Sequence, residues 1–170
     1  MKDAVGSTML VYIVIIVVGI VGAILIASNM YTSAYKAKNN IISAIDRYYM
    51  VNSGNGKTCF EDDYCINSIV STLKNMGYHL NDSDLCNGKI FAKVEKKALD
   101  KDTDEEAEYP KTEPVYTNSS NNGYCVYKTT LSSSEYYYTV VTFSHLNINV
   151  LGIGSLFSTP VYGETRTYYN

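Results

Sequence analysis

The chain runs to 170 residues and carries a formal net charge of -3, which allows one modest domain plus an extension. Charged residues account for 18% of it, under the ~25% usual in globular domains. With no basic surplus to hold a polyanion, the composition argues against nucleic acid as a partner.

After a short tail (residues 1–8), the segment from Met9 to Ala27 carries no charge. As a helix at about 1.5 Å rise per residue it spans nearly 30 Å, the hydrocarbon thickness of a bilayer. The apolar region of a cleaved leader is shorter, roughly 7–15 residues, and ends at a small-x-small site. Here Leu25 stands where a small residue is wanted before Ala27. The favoured reading is a retained single-pass anchor over 9–27.

Residues 28–50 continue with helical character. Met30, Ala34, Ala37, Ile41, Ile45 and Tyr48 recur at three- and four-residue steps, one face of an amphipathic helix. Lys36, Lys38, Asn39 and Asp46 fall largely elsewhere on the wheel, and no Gly or Pro interrupts Ala23 through Val51. One helix of about 40 residues is expected, half in lipid and half outside. Within the span, Gly19, Ala23 and Ala27 form a small-xxx-small series that lets two helices approach closely in lipid. Gly and Ala are also common in membrane helices generally, so the series permits assembly without requiring it.

Two signals for orientation conflict. Counting Lys36, Lys38 and Arg47 after the span would place the domain inside the cell. The polar, Asn-, Ser- and Tyr-rich body and the cysteines point outside, and an outward-facing domain (51–170) is expected. Cys59, Cys65, Cys86 and Cys125 all follow the span, so an oxidising exterior would pair them as two disulfides. No C-x2-C pair exists, which disfavours zinc.

"VNSGNGKTC" breaks the first helix. Its Gly56-Lys57-Thr58 hints at a phosphate loop, but position 51 is Val where the loop needs Gly, and no strand precedes it. "EDDYCINSIVSTLKNMGY" reads as a second helix. Its acidic start suits the helix N-terminus, its apolar stripe is Ile66, Ile69, Val70, Leu73 and Met76, and Gly77 ends it. Cys65 in its first turn lies within chain reach of Cys59. The preferred pairing of the three possible is therefore Cys59–Cys65 with Cys86–Cys125.

"GKIFAKVEKK" has enough β-branched and aromatic residues for a strand, and "ALDKDTDEEAEYPKTEP" reads as an exposed acidic loop. Asp100, Asp102 and Asp104 alternate like the start of a calcium loop. Glu105 and Lys111 stand where Gly and Glu belong, so a solvated loop is favoured and no cofactor is expected. From Gly123 the pattern turns to β: "YCVYKTTL" and "EYYYTVVTFSHLNINV" joined by a Ser turn, an apolar loop "LGIGSLFSTP", and a final strand "VYGETRTYYN". In the long run both faces are half apolar, so one face would cover a helix while the other shows Tyr to solvent. The expected fold class is α+β, a long helix packed on a mostly antiparallel sheet with one further short helix.

Catalytic signatures are missing. The histidines are His79 and His145, and no H-E-x-x-H or G-x-S-x-G context surrounds a nucleophile or base. The chain reads as a non-enzyme, although catalytic sites assemble from distant residues.

The stretch "GSTMLVYIVIIVVGIVGAILIASNMYTSAYKAKNN" and the ending "YYYTVVTFSHLNINVLGIGSLFSTPVYGETRTYY" together resemble pilin-like proteins, most closely the TadE-like minor pseudopilins of tight-adherence pilus systems. The resemblance covers about half the chain. It implies a β-hairpin ending with a small-residue, Pro-containing loop, and Gly6-Ser7 is the candidate processing site. The wider pilin pattern would place Glu at position 11, where Val stands. What the resemblance implies is thus a membrane-anchored, outward-facing structural or assembly subunit of a bacterial pilus or secretion apparatus. Its partners would be membrane lipid and other pilin-like subunits or assembly proteins, in a homo- or hetero-oligomer. The alternative is a membrane-tethered binding module whose Tyr136, Tyr138, Tyr168 and Tyr169 hold a cell-wall or glycan ligand. A third reading, an enzyme released by cleavage after Ala27, stands behind both.

Overall fold

A computed structural model describes residues 2–52, 57–78, 86, 88–99, 110–116, 123–146 and 157–169, and side chains there except at 2–8, 145–146 and 157–158. The first helix, α1 (Lys2–Asn52), is continuous, about 77 Å long at 1.5 Å per residue. Its two halves obey different rules. From Met9 to Ile26 the large apolar side chains are exposed on every side, Ile16 at 60% and Leu25 at 61% among them. This part is long and apolar enough to cross a membrane. From Ala34 onward one stripe is buried, Ala34, Ala37, Ile41 and Ile45, as the sequence period predicts, with Met30 and Tyr48 half-buried at its ends.

The buried stripe lies on the sheet. Two alanines let the helix come close enough for the Thr142 hydroxyl to donate to the Ala34 carbonyl at 2.8 Å. Gly163 makes the second close approach. A Cβ there would stand 2.5 Å from Lys38 Cδ and 2.8 Å from Ile42 Cδ1. Lys38, expected on the polar side of the wheel, is instead only 8% exposed. Its stem packs over Gly163, and its ammonium escapes to lie 4.1 Å from the Tyr35 ring centroid, a long side chain burying its methylenes while its charge stays wet.

A single 3-10 turn (Cys59–Glu61) leads into α2 (Asp63–Asn75). Asp62 caps α2 by accepting from the Tyr64 N–H at 2.9 Å. The helix ends in a Schellman motif: the Gly77 N–H donates to Lys74 O and the Tyr78 N–H to Leu73 O. Gly77 has φ +71°, the left-handed conformation that this closure needs and that only Gly adopts without strain. Cys65, Ile69 and Leu73 are buried toward α1.

Residues 88–99 form a third helix, α3 (Gly88–Leu99), not the strand expected from their composition. The competing signal was period: Ile90, Phe91, Val94 and Ala98 recur at helical steps, and Val94 and Ala98 are buried. The sheet is an antiparallel meander of β1 (Lys111–Tyr116), β2 (Tyr124–Thr130), β3 (Glu135–Leu146) and β4 (Phe157–Glu164), with β5 (Tyr168–Tyr169) pairing back onto β3. β1 occupies the end of the run read as an acidic loop, and β4 begins at Phe157 inside the stretch read as an apolar loop. Both are outer strands, where Pro114 and Pro160 cost no ladder bond facing inward.

The final strand is split. Thr165 turns the chain, its N–H donating to Tyr138 O and its hydroxyl accepting from the Tyr138 N–H, both at 2.9 Å, before Tyr168 pairs with Tyr136. The even-numbered side of β2 and β3 faces α1, the odd-numbered side faces α3, and both faces of β3 are covered from Tyr136 to Phe143. The fold is α+β with three helices and five strands among the described residues.

Candidate functional site

At the end of the sheet farthest from the apolar span, the last turns of α1 meet the 3-10 turn, the start of β3 and β5. They enclose a cavity of about 390 Å³ lined by Tyr49, Tyr136, Tyr138, Tyr168 and Tyr169, with Lys57, Glu61 and Lys128 at its polar side. The aromatic rings touch in series. Tyr168 lies 4.3 Å from Tyr49, 5.5 Å from Tyr136 and 5.8 Å from Tyr138, centroid to centroid. Phe60, carried by the 3-10 turn, meets Tyr138 edge-on at 5.7 Å.

Polar tips fix this cluster. The Tyr168 hydroxyl donates to the Asp46 carboxylate, and Arg166 lies 3.8 Å from the same oxygen while stacking over Tyr49 and Tyr168. The Tyr49 hydroxyl donates to Tyr169 O at 2.7 Å, which ties the C-terminal strand to α1. Lys128 sits 4.2 Å over the Tyr136 ring. Nearby, the Tyr48 hydroxyl donates to Asp62 at 2.8 Å. That bond is the main cause of both a raised Tyr48 phenol and an Asp62 carboxyl held below its usual range. Burial, first of all causes, raises Tyr138 and Tyr168. These phenols are therefore neutral hydrogen-bond donors at physiological pH, suited to contact and not to nucleophilic attack.

The structure brings the four tyrosines of the binding-module reading to this one cavity. It also corrects their exposure: Tyr136, Tyr138 and Tyr168 are core residues at 7% or less, and Tyr169 alone is open, at 64%. The cause is closure on the α1 side of the sheet, where Phe60 and Tyr168 pack over Tyr136 and Tyr138; α3 covers the opposite face, with Phe91 5.7 Å from Tyr127 and Lys97 paired with Glu164 at 2.9 Å. Asp46, Arg166 and Lys128 were not singled out from sequence. Asp46 and Tyr168 are separated by 122 positions, and no local pattern links them.

The other sequence-selected residues are dispersed. Cys59 is bonded to Cys65 and Cys86 to Cys125, the first pair joining the 3-10 turn to α2 and the second holding the α3 side of β2. Gly19 and Ala23 are exposed and Ala27 half-buried on α1, and a Cβ at Gly19 would meet nothing within 4 Å. Gly6 and Ser7 lie on the helical backbone of α1, their side chains outside the described set. Asp100, Asp102, Asp104 and His79 fall outside the described residues, as does the His145 side chain. Among the described residues no group of three His, Cys, Asp or Glu side chains is placed to hold a metal. No family model matches the chain, and no curated protein or solved structure matches it either.

Proposed function

We propose that the chain is a membrane-anchored, outward-facing structural or assembly subunit of a pilus or secretion apparatus, of the pilin-like, TadE-like kind. One observation carries this reading: the exposed apolar half and the core-forming half of α1 are one unbroken helix. A module that needed only a tether would be served by a flexible linker. A rigid helix instead fixes how the domain is aimed relative to whatever packs on its membrane half. In lipid that packing runs through small residues, and Gly19 and Ala23 are uncovered by this chain.

The two disulfides support an exterior location. The opposing positive charges weigh less once Lys38 is accounted for by packing against Gly163. In this reading the chain is not an enzyme, and its partners are membrane lipid and further pilin-like subunits. The test is the double substitution Gly19→Leu and Ala23→Leu in the native cells. Membrane insertion is retained and co-purifying partner subunits are lost; unchanged co-purification overturns the reading.

The tyrosine-lined cavity favours a second reading, a membrane-tethered module for a cell-wall or glycan ligand. Because Tyr169 is its open member, Tyr169→Ser in the full chain separates the two. Loss of binding to isolated wall material, with partners still co-purifying, selects the binding module.

A further inference from the structure

The level of the sheet relative to the apolar span can be read from its contacts with α1. β3 runs antiparallel to the helix: its start, Tyr136, reaches Tyr49 through Tyr168, while Thr142 bonds to Ala34. The strand continues past Thr142 to Leu146, which pairs with Phe157 at the head of β4. At about 3.3 Å per residue that extension is about 13 Å, equal to about nine residues of helix rise. It brings the Leu146–Phe157 pair down to about the end of the Met9–Ala27 span, where hydrocarbon gives way to headgroups.

The chemistry at that level suits a bilayer surface. From Tyr136 through Gly163 the chain carries no Asp, Glu, Lys or Arg. On α1 the turns just beyond that level carry the exposed rings of Tyr31 and Tyr35, with the Lys38 ammonium over Tyr35. Tyrosines and snorkelling lysines beside an apolar helix are the residues that settle at headgroup level. An outer strand such as β4 needs water or headgroups for the backbone of its free edge, which limits it to that layer and keeps it out of the hydrocarbon.

We propose that the Leu146–Phe157 end of the sheet enters the lipid headgroup layer beside α1, giving the domain a second membrane contact of its own. A lone helix leaves the domain free to rotate about the helix axis; two contacts fix its rotation and tilt. The inference rests on α1 being the membrane span, so the test reports on both.

The chain contains no Trp, so a single introduced Trp is the only indole signal. Full-length Phe157→Trp, Ile16→Trp and Tyr169→Trp variants are reconstituted in phosphatidylcholine vesicles whose acyl chains are brominated either near the headgroup or near the chain end. The expected result is blue-shifted Phe157→Trp emission, lost most strongly with headgroup-proximal bromine. Ile16→Trp is quenched most by deep bromine, and Tyr169→Trp by neither. Quenched Ile16→Trp with unquenched Phe157→Trp leaves the span standing and overturns the second contact. Unquenched Ile16→Trp overturns the span and the contact together. Should the Phe157 variant misfold, the unsubstituted chain with photoactivatable lipid decides the matter: lipid adducts on the β3–β4 peptide support the contact, and adducts confined to α1 overturn it.

Discussion

The Tyr78 hydroxyl donates to the Gly123 carbonyl at 2.8 Å and accepts from the Phe143 N–H at 2.9 Å, holding the exit of α2 against β2 and β3 with one side chain. Tyr78→Phe keeps the ring but strands a buried N–H and a carbonyl. The expected cost is about 1–3 kcal/mol, read as a Tm several degrees lower; an unchanged Tm would show that water satisfies both groups. Buried phenols also set the alkaline limit. Burial raises Tyr78, Tyr138 and Tyr168 and pushes Tyr127 up to about 12. An unfolded phenol titrates near about 10, so as pH rises the unfolded state gives up its protons first. The stability these groups contribute is full below about pH 10 and is lost as pH climbs toward their folded values. Urea midpoints taken from about pH 8 to about pH 11 should fall at the alkaline end, with part of the phenolate absorbance arriving only on unfolding. Complete phenol titration while the fold persists would contradict this.

At the scale of elements, the two disulfides close loops of different length, with sequence separations of 6 and 39. By the loop-closure argument their contributions are about 2 and about 4 kcal/mol. Replacing Cys86 and Cys125 together by Ala should therefore cost more stability than replacing Cys59 and Cys65 together, which paired urea curves would compare. The reverse order would mean that local anchoring of the 3-10 turn outweighs chain entropy. The helical face from Met30 to Tyr48 and the Gly77 stop were legible because period and a required positive φ write themselves into local sequence. α3 was not, because strand-favouring residue types obscured its helical spacing, and one error led to another. Without α3 one face of β3 had no cover and was expected to show Tyr136 and Tyr138, whereas they lie on the other face, closed by α1, the 3-10 turn and β5. β1 was hidden by charge and Pro114, which an outer strand tolerates. The Asp46–Tyr168–Arg166 cluster was invisible because only tertiary closure brings its members together.

For the whole molecule, the domain that sequence places after residue 50 does not contain one layer of its core. Ala34, Ala37, Ile41 and Ile45 supply the layer against which Val126, Val140 and Val161 are buried, and burying each Ile side chain is worth about 1.5–3 kcal/mol. Removing the helix also leaves Thr142 without its Ala34 acceptor and Asp62 without its Tyr48 donor. Against a net stability of about 5–15 kcal/mol for a typical domain, those losses together are decisive. A chain of residues 27–170, lacking most of the apolar span, should fold with both disulfides and unfold cooperatively in urea. A chain of residues 51–170 should show neither cooperative unfolding nor slow amide exchange in β2 and β3. Cooperative folding of the shorter chain would reduce α1 to a tether and move the balance toward a surface-binding module. Its failure beside a folded longer chain makes α1 the spine of the domain, so that force or rotation applied to its apolar half reaches the sheet without a joint.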